Sequence, residues 1–206
     1  MTNIEVEYRG VLSKQKFKKL SEALDDKGKF IKEKDRFSAI YSPRGKEKLK
    51  IIKSPLDLRI RITDKKSEIV LKYGRSSGID ARKEFSFPID SDKFEEAAEF
   101  LKILGFYYGV LQVTKTRLYM YKDIEFALVD VPGWGYYFEA EILTNVDKVA
   151  EAKAKIEAVM EEFSLDVLNE KDFYKLLEEF NNRPGFRFNF KNESFSDIKK
   201  RFLAYF

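Results

Sequence analysis

Ile4-Glu5-Val6-Glu7-Tyr8-Arg9 sets two carboxylates and a guanidinium at alternate positions near the start of the chain. Side chains along a strand alternate between faces, so Glu5, Glu7 and Arg9 form one row and Ile4, Val6 and Tyr8 the other. The same pattern returns in Arg59-x-Arg61, Arg82-x-Glu84, Lys115-x-Arg117 and Glu139-x-Glu141. Strands that only needed a wet face could use Thr, Ser and Lys. These group like charge with like, and they favour Arg, whose planar fork suits two-pronged contact with phosphate or carboxylate.

Working outward from that stretch, Leu58, Ile60 and Ile62 alternate with Arg59 and Arg61, which predicts a strand over 56–63. Further extended segments are predicted over 29–41, 67–73, 81–87 with Pro88 ending it, 107–121, 124–131 and 136–143. Helical spacing of Phe17, Leu20 and Leu24 after Ser13 predicts a helix closing at Gly28. A second helix is expected over 92–104 with Ser91 as N-cap, a third after Asn145, and a fourth over 170–180. Past Arg183-Pro184-Gly185 the tail reads as a short strand or loop plus a terminal helix. The basic stretch 46–55 reads as a hairpin arm or a flap.

Runs of strands rather than strict β/α alternation indicate an α+β fold. The expectation is an eight-stranded antiparallel β-barrel, closed on itself, with the amphipathic helices packed outside. The helices need an apolar sheet surface, and this puts the charged rows on the inner face. Residues 1–182 are expected to form this domain, with 183–206 as a basic and aromatic extension packed on it.

Composition narrows the chemistry. The chain of 206 residues contains no cysteine and no histidine, which removes disulfides, thiolate and Ser-His-Asp catalysis, and leaves oxygen as the metal-binding atom. Lys and Arg number 39 against 35 Asp and Glu, too near balance for a generic nucleic-acid coat, so an anion site must be a local concentration. No stretch approaches the about 20 apolar residues of a membrane span, and a cytoplasmic location without membrane or nucleic-acid partners is expected.

The inner rows would carry Arg9, Arg59, Arg61, Lys72, Arg82, Lys115 and Arg117 against Glu5, Glu7, Glu84, Asp130, Glu139 and Glu141. Acidic pairs on the first and last strands would become neighbours on closure. With Asp130 they form an oxygen-rich site for a hard divalent ion, Mg²⁺ or Mn²⁺, since bare acids would repel one another. Such a lumen permits a triphosphate and disfavours an apolar ligand.

Glu5-Val6-Glu7-Tyr8-Arg9 resembles the ExExK signature of the CYTH superfamily, the triphosphate tunnel metalloenzymes. Leu58-Arg59-Ile60-Arg61, Leu71-Lys72, Arg82-Lys83-Glu84, Lys115-Thr116-Arg117, and Asp130 through Trp134-Gly135 to Phe138-Glu139-Ala140-Glu141 follow in that family's order over about residues 3–143. The resemblance implies that Arg59, Arg61, Lys72, Arg82, Lys115 and Arg117 grip phosphate oxygens and that Glu5, Glu7, Asp130, Glu139 and Glu141 hold metal. It places Glu5, Glu7, Arg9 and Lys72 in catalysis. The implied activity is hydrolysis of a small triphosphate: tripolyphosphate, thiamine triphosphate or a nucleoside triphosphate. A class IV-type adenylyl cyclase making cyclic AMP and pyrophosphate is the alternative, and a non-catalytic polyanion-binding domain the second. In that last reading Arg187, Lys191, Lys199, Lys200 and Arg201 of the tail would meet a partner. Homodimerisation is left open. Arg9 stands where the family has lysine, and an arginine does not give up its proton. Asp35-Arg36-Phe37-Ser38 resembles the cyclase-like and thiamine-triphosphatase-like D-x-[YF] stretch.

Overall fold

The computed structural model describes residues 4–44, 56–74, 79–80 and 83–206. The stretch 46–55 and the phosphate-binding expectation at Arg82 lie outside the described residues. The strands are β1 (Ile4–Leu12), β2 (Lys29–Tyr41), β3 (Leu56–Thr63), β4 (Lys66–Tyr73), β5 (Ile79–Asp80), β6 (Lys83–Ile89), β7 (Tyr108–Tyr121), β8 (Ile124–Val131), β9 (Gly135–Thr144) and β10 (Arg187–Asn189). The helices are α1 (Lys14–Lys27), α2 (Phe94–Ile103), α3 (Val149–Glu162), α4 (Glu170–Asn181) and α5 (Phe195–Arg201). The fold is α+β. Described strand pairs are antiparallel, in the order β5-β1-β9-β8-β7-β2-β3-β4-β6, with β10 added to β7. The order has two ends, β5 and β6.

Among the described residues, the extended segments read from the sequence are strands, that over 81–87 from Lys83 onward. Pro88 lies inside β6 rather than ending it, paired with Glu68. Proline lacks a donor, and β6, at one end of the order, tolerates that loss. Ser13 caps α1, accepting from Lys16 N at 3.1 Å. Ser91 and Asn145 cap no helix: each precedes or opens a single 3₁₀ turn, and Ser91 Oγ donates to Lys65 O. Among the described residues no helix is long and apolar enough to cross a membrane.

The chain divides into two compact units. The first comprises Met1–Lys34, Arg75–Arg82 and Thr114–Lys175. Its core is the even-numbered face of β1, β8 and β9, namely Val6, Tyr8, Phe126, Leu128, Phe138 and Ala140, packed on Leu20 and Leu24 of α1 and Ile156, Val159 and Met160 of α3. Gly10 of β1 permits a close approach, since a Cβ there would sit 2.1 Å from Asp166 O and 2.4 Å from the Phe138 ring.

The second unit comprises Asp35–Gly74, Lys83–Val113 and Leu176–Phe206. Its core joins Phe37, Ala39, Tyr41, Ile60 and Ile62 of β2 and β3 to Phe94, Ala98 and Leu101 of α2 and to the tail. Phe188, Phe190, Phe195 and Ile198 are all buried there, so the tail is part of this core. β10 adds it to the sheet through the pair Phe188↔Gly109.

Candidate functional site

In the first unit, strand register fixes which side chains share a face. β1 pairs with β9 through Glu7↔Glu141, Arg9↔Glu139 and Val11↔Tyr137. β9 pairs with β8 through Glu141↔Glu125, Glu139↔Ala127 and Tyr137↔Val129, and β7 continues these rungs with Met120, Leu118 and Thr116. Glu5 pairs with Leu143 and Glu7 also with Asp80. Glu5, Glu7, Arg9 and Val11 and their partners on β9, β8 and β7 lie on the face opposite the core that packs against α1 and α3.

Carboxylates paired directly across strands repel one another. Arg9 answers part of that repulsion: its Nη2 donates to Glu7 Oε2, and its Nε donates to Glu139 Oε1 at 3.0 Å. Its guanidinium also lies 5.6 Å from the Phe173 ring centroid, within cation–π range. Burial pushes the Glu7 carboxyl well above the usual carboxylate range; Arg9 opposes that shift, and Glu139 and Glu5 add to it.

Lys115, Arg117 and Asp130 lie on the other face. Lys115↔Asp130 and Arg117↔Leu128 share the phase of Tyr119, Phe126 and Phe138, the core side. Arg117 there binds α1, donating to Ser21 Oγ and to both Asp25 carboxylate oxygens at 3.3 Å. It also meets Glu33 at 3.2 Å and lies 5.5 Å from the Phe30 ring. The sequence reading put all three on the inner face, Asp130 with the metal-holding carboxylates and Lys115 and Arg117 among the phosphate-gripping cations. Register corrects their placement by one residue, and Thr116 and Val129 take those places.

In the second unit the same rule places Arg59, Arg61 and Lys72 together. The pairs Ser38↔Arg61↔Glu68 and Asp57↔Lys72↔Glu84 all face away from the core of Phe37, Ile60 and Ile62. Arg59 grips Asp57 with two donors, Nε at 3.0 Å from Oδ1 and Nη2 on Oδ2. Arg61 spans Glu68, at 2.6 Å, and Glu84, at 3.1 Å. Lys72 Nζ reaches the other Glu84 oxygen at 2.8 Å, and Arg36 donates to Thr63 Oγ1 at 3.0 Å. Burial works against the charged forms of Glu68 and Glu84. Arg61 and Ser86 for Glu68, and Lys72 and Arg61 for Glu84, outweigh it and hold both below the usual range. The sequence reading missed Asp57, Glu68 and Arg36 here, and Glu125 in the first unit. Glu125 was open to discovery, because Ile124, Phe126 and Leu128 alternate with it.

Among the described residues no group of three or more acidic side chains stands ready around a common point. Glu7 and Glu139 are turned to Arg9. The donor chemistry nevertheless fits a hard divalent ion, because Glu5, Glu7, Glu139 and Glu141 offer only oxygen from one sheet face and repel one another without a cation. Tail cations are held within the chain: Lys199 by Glu95 at 3.1 Å, Arg201 by Glu193 at 2.8 Å, and Arg187 by Asn181 O at 3.0 Å.

Solved structures resemble this chain at low sequence identity. A conserved protein of Pyrococcus furiosus is 22% identical with a TM-score of 0.64, covering 80% of this chain and 94% of its own. A Pyrococcus horikoshii protein is 23% identical with a TM-score of 0.65, covering 85% and 98%. A Hippeastrum protein, named as an adenylyl cyclase candidate with a dominant triphosphatase activity, is 18% identical with a TM-score of 0.59, covering 82% and 90%. At these identities the likeness is one of fold. A search of the curated proteins found no match. The CYTH domain profile matches residues 3–174, and the chain belongs to the CYTH family.

Proposed function

We propose that this CYTH protein is a divalent-metal-dependent phosphohydrolase acting on a small triphosphate. The observation that carries the reading recurs in each unit: Glu7, Arg9, Glu139 and Glu141 in the first, and Arg59, Arg61, Lys72 and Glu68 in the second, occupy the sheet face opposite the apolar core. Family membership supplies the substrate class. The Hippeastrum neighbour, with its named triphosphatase activity, favours hydrolysis over cyclisation.

Arg59 and Arg61 present planar forks to phosphate oxygens and Lys72 a point charge, the donors that phosphoryl transfer needs for positioning and charge neutralisation. Asp57, Glu68 and Glu84 aim those cations before the ligand arrives. Glu5, Glu7, Glu139 and Glu141 would hold Mg²⁺ or Mn²⁺. When bound, the ion supplies charge neutralisation at the phosphate oxygens. Arg9 stays protonated and acts as a counter-charge to Glu7 and Glu139 rather than as a base. Lys115, Arg117 and Asp130 do not belong to the set. The reading keeps closure of the strands into a tunnel as the family resemblance implies it.

The test incubates the full chain with tripolyphosphate, thiamine triphosphate, ATP or GTP and Mg²⁺ or Mn²⁺, and resolves the products. Orthophosphate, lost on chelation and restored by metal, is the expected result. Cyclic AMP with pyrophosphate from ATP would establish the cyclase instead. Binding without any product would establish a polyanion-binding domain.

A further inference from the structure

A cavity of about 280 Å³ lies within the second unit, between the start of α2, the β3–β4 turn, α5 and the last residues of the tail. Its walls are fixed. Asp64 and Lys65 make the turn, with φ of +49° and +66°, as a two-residue hairpin loop of type I′ requires. Asp64 N donates to Asp35 O of β2 at 3.0 Å, and Asp64 Oδ1 accepts from Asp35 N at 2.9 Å. Ser91 Oγ donates to Lys65 O at 2.5 Å and ties the turn to the start of α2. The Phe206 ring packs on Phe94 and Phe195, at 5.7 and 5.6 Å between centroids.

The lining divides into an apolar floor and a charged rim. Ile62 and Phe94, both buried, form the floor with the half-buried Tyr205 and Phe206. On the rim Lys199 is held by Glu95 at 3.1 Å, which leaves one cation and one anion, the exposed Lys65 and Asp92. Among the described residues neither of these two side-chain charges has a hydrogen bond or an ion pair.

We infer that this cavity binds a free α-amino acid with an aromatic side chain. Its volume falls just below the about 300–1,000 Å³ of drug-sized sites, which limits the occupant to roughly one ring with a short head group. The rings of Phe94, Tyr205 and Phe206 suit an aromatic group in edge-to-face or offset contact. The rim then selects the head group. A lone carboxylate would answer Lys65 and leave Asp92 repelled; a lone ammonium would do the reverse; a zwitterion meets both. Ile62 lies on the opposite face of β3 from Arg61, so the cavity sits behind the ionised face of this unit, and the inference does not depend on the triphosphate reading.

The full-length protein is titrated with L-phenylalanine, 3-phenylpropionate, phenethylamine and L-alanine, with binding followed by saturation-transfer NMR and calorimetry. L-Phenylalanine is expected to bind most tightly and each single-charge analogue about fivefold more weakly, the scale of one exposed ion pair. L-Alanine, which has no ring, should show no binding at millimolar concentration. Lys65→Ala should weaken L-phenylalanine binding about fivefold and leave phenethylamine within about twofold. Asp92→Asn should likewise weaken L-phenylalanine and leave 3-phenylpropionate unchanged. Both side chains are exposed, so the variants keep the fold, and thermal unfolding checks that they do. Equal affinity for the three ring compounds would reduce the site to an apolar crevice and overturn the inference. Tightest binding of either single-charge analogue would overturn it too, as would no binding of L-phenylalanine at millimolar concentration. Rim variants that bind L-phenylalanine like the wild type would put the ligand elsewhere, with the same result.

Discussion

Replacing Arg61 with methionine tests whether the ionised face of the second unit is held by charge. The Arg61 side chain is 11% exposed, and it serves Glu68 and Glu84, which are 23% and 30% exposed. Breaking a fully buried pair costs about 3–5 kcal/mol, and an exposed pair contributes about 0–1 kcal/mol. Glu84 keeps Lys72 and Glu68 keeps Ser86, so neither is stranded. A loss of about 2 kcal/mol follows, or about 4–8 °C in Tm for a chain of this size. Both carboxyls are held below their ordinary value of 4.5. The stabilisation is therefore complete above pH 4.5 and disappears as pH falls through the lowered folded values. Thermal unfolding followed by circular dichroism at neutral pH and near pH 3 measures the gap between wild type and variant. It should be wide at neutral pH and narrower in acid. An equal gap at both would show that Arg61 acts through the packing of its stem, and no gap at neutral pH would refute the argument outright.

Glu7→Gln should remove a pH slope of opposite sign. The folded Glu7 carboxyl sits above the unfolded 4.5, so wild-type stability without metal declines as pH rises from there, and urea unfolding between about pH 4 and pH 8 should show a flatter variant. Gly10→Ala should cost about 3 kcal/mol or more, because its Cβ would meet backbone oxygen at 2.1 Å; soluble yield and Tm report it. Lys115→Ala should leave triphosphate turnover within about twofold, whereas Arg59→Ala should depress it at least about a hundredfold, read from kcat/KM. Glu84→Gln should tighten tripolyphosphate binding about fivefold by calorimetry, since it removes a carboxylate that competes for Lys72 and Arg61.

The sequence shows a strand's phase only where one alternation is apolar and the other is not. In β3, Leu58, Ile60 and Ile62 leave no choice, and Arg59 and Arg61 fall on the ionised face as expected. In β7 both phases are bulky, with Leu118 and Met120 against Tyr119 and Tyr121, so the sequence cannot say which face Lys115 and Arg117 join. Only the register with β8 decides it. Asp130 joins the carboxylates in the sequence reading because its strand precedes that of Glu139 and Glu141 and because the family resemblance implies it, yet the register that sets Val129 against Tyr137 turns it to the helix side. β5 and β10, of two and three residues, are too short to show alternation and exist through pairing with β1 and β7. Ser91 and Asn145 look like caps because their side chains suit the role, but a 3₁₀ turn intervenes before each helix.

What the sequence could least reveal is the partner each charge keeps. Reading like charges in rows suggests guanidiniums that wait for phosphate and carboxylates that wait for metal. Folded, Arg59 lies on Asp57, Arg61 on Glu68 and Glu84, Lys72 on Glu84, and Arg9 on Glu7 and Glu139. Partly buried ions cannot remain bare at tolerable cost, so each unit neutralises its own face while it folds. On the proposed function, ligand binding would be an exchange of partners. A phosphate gains Arg61 only to the extent that it competes with Glu68 and Glu84, and a metal ion gains Glu7 and Glu139 only by displacing the Arg9 guanidinium. An exchange of this kind favours ligands that replace several partners together, because loss of one carboxylate contact is offset only by a bidentate oxyanion or by a divalent ion. Orthophosphate, with a single phosphoryl group, replaces fewer partners than a triphosphate carrying metal. On the proposed function, the internal pairs would give the ionised faces both stability without ligand and selectivity for the longer phosphate chain.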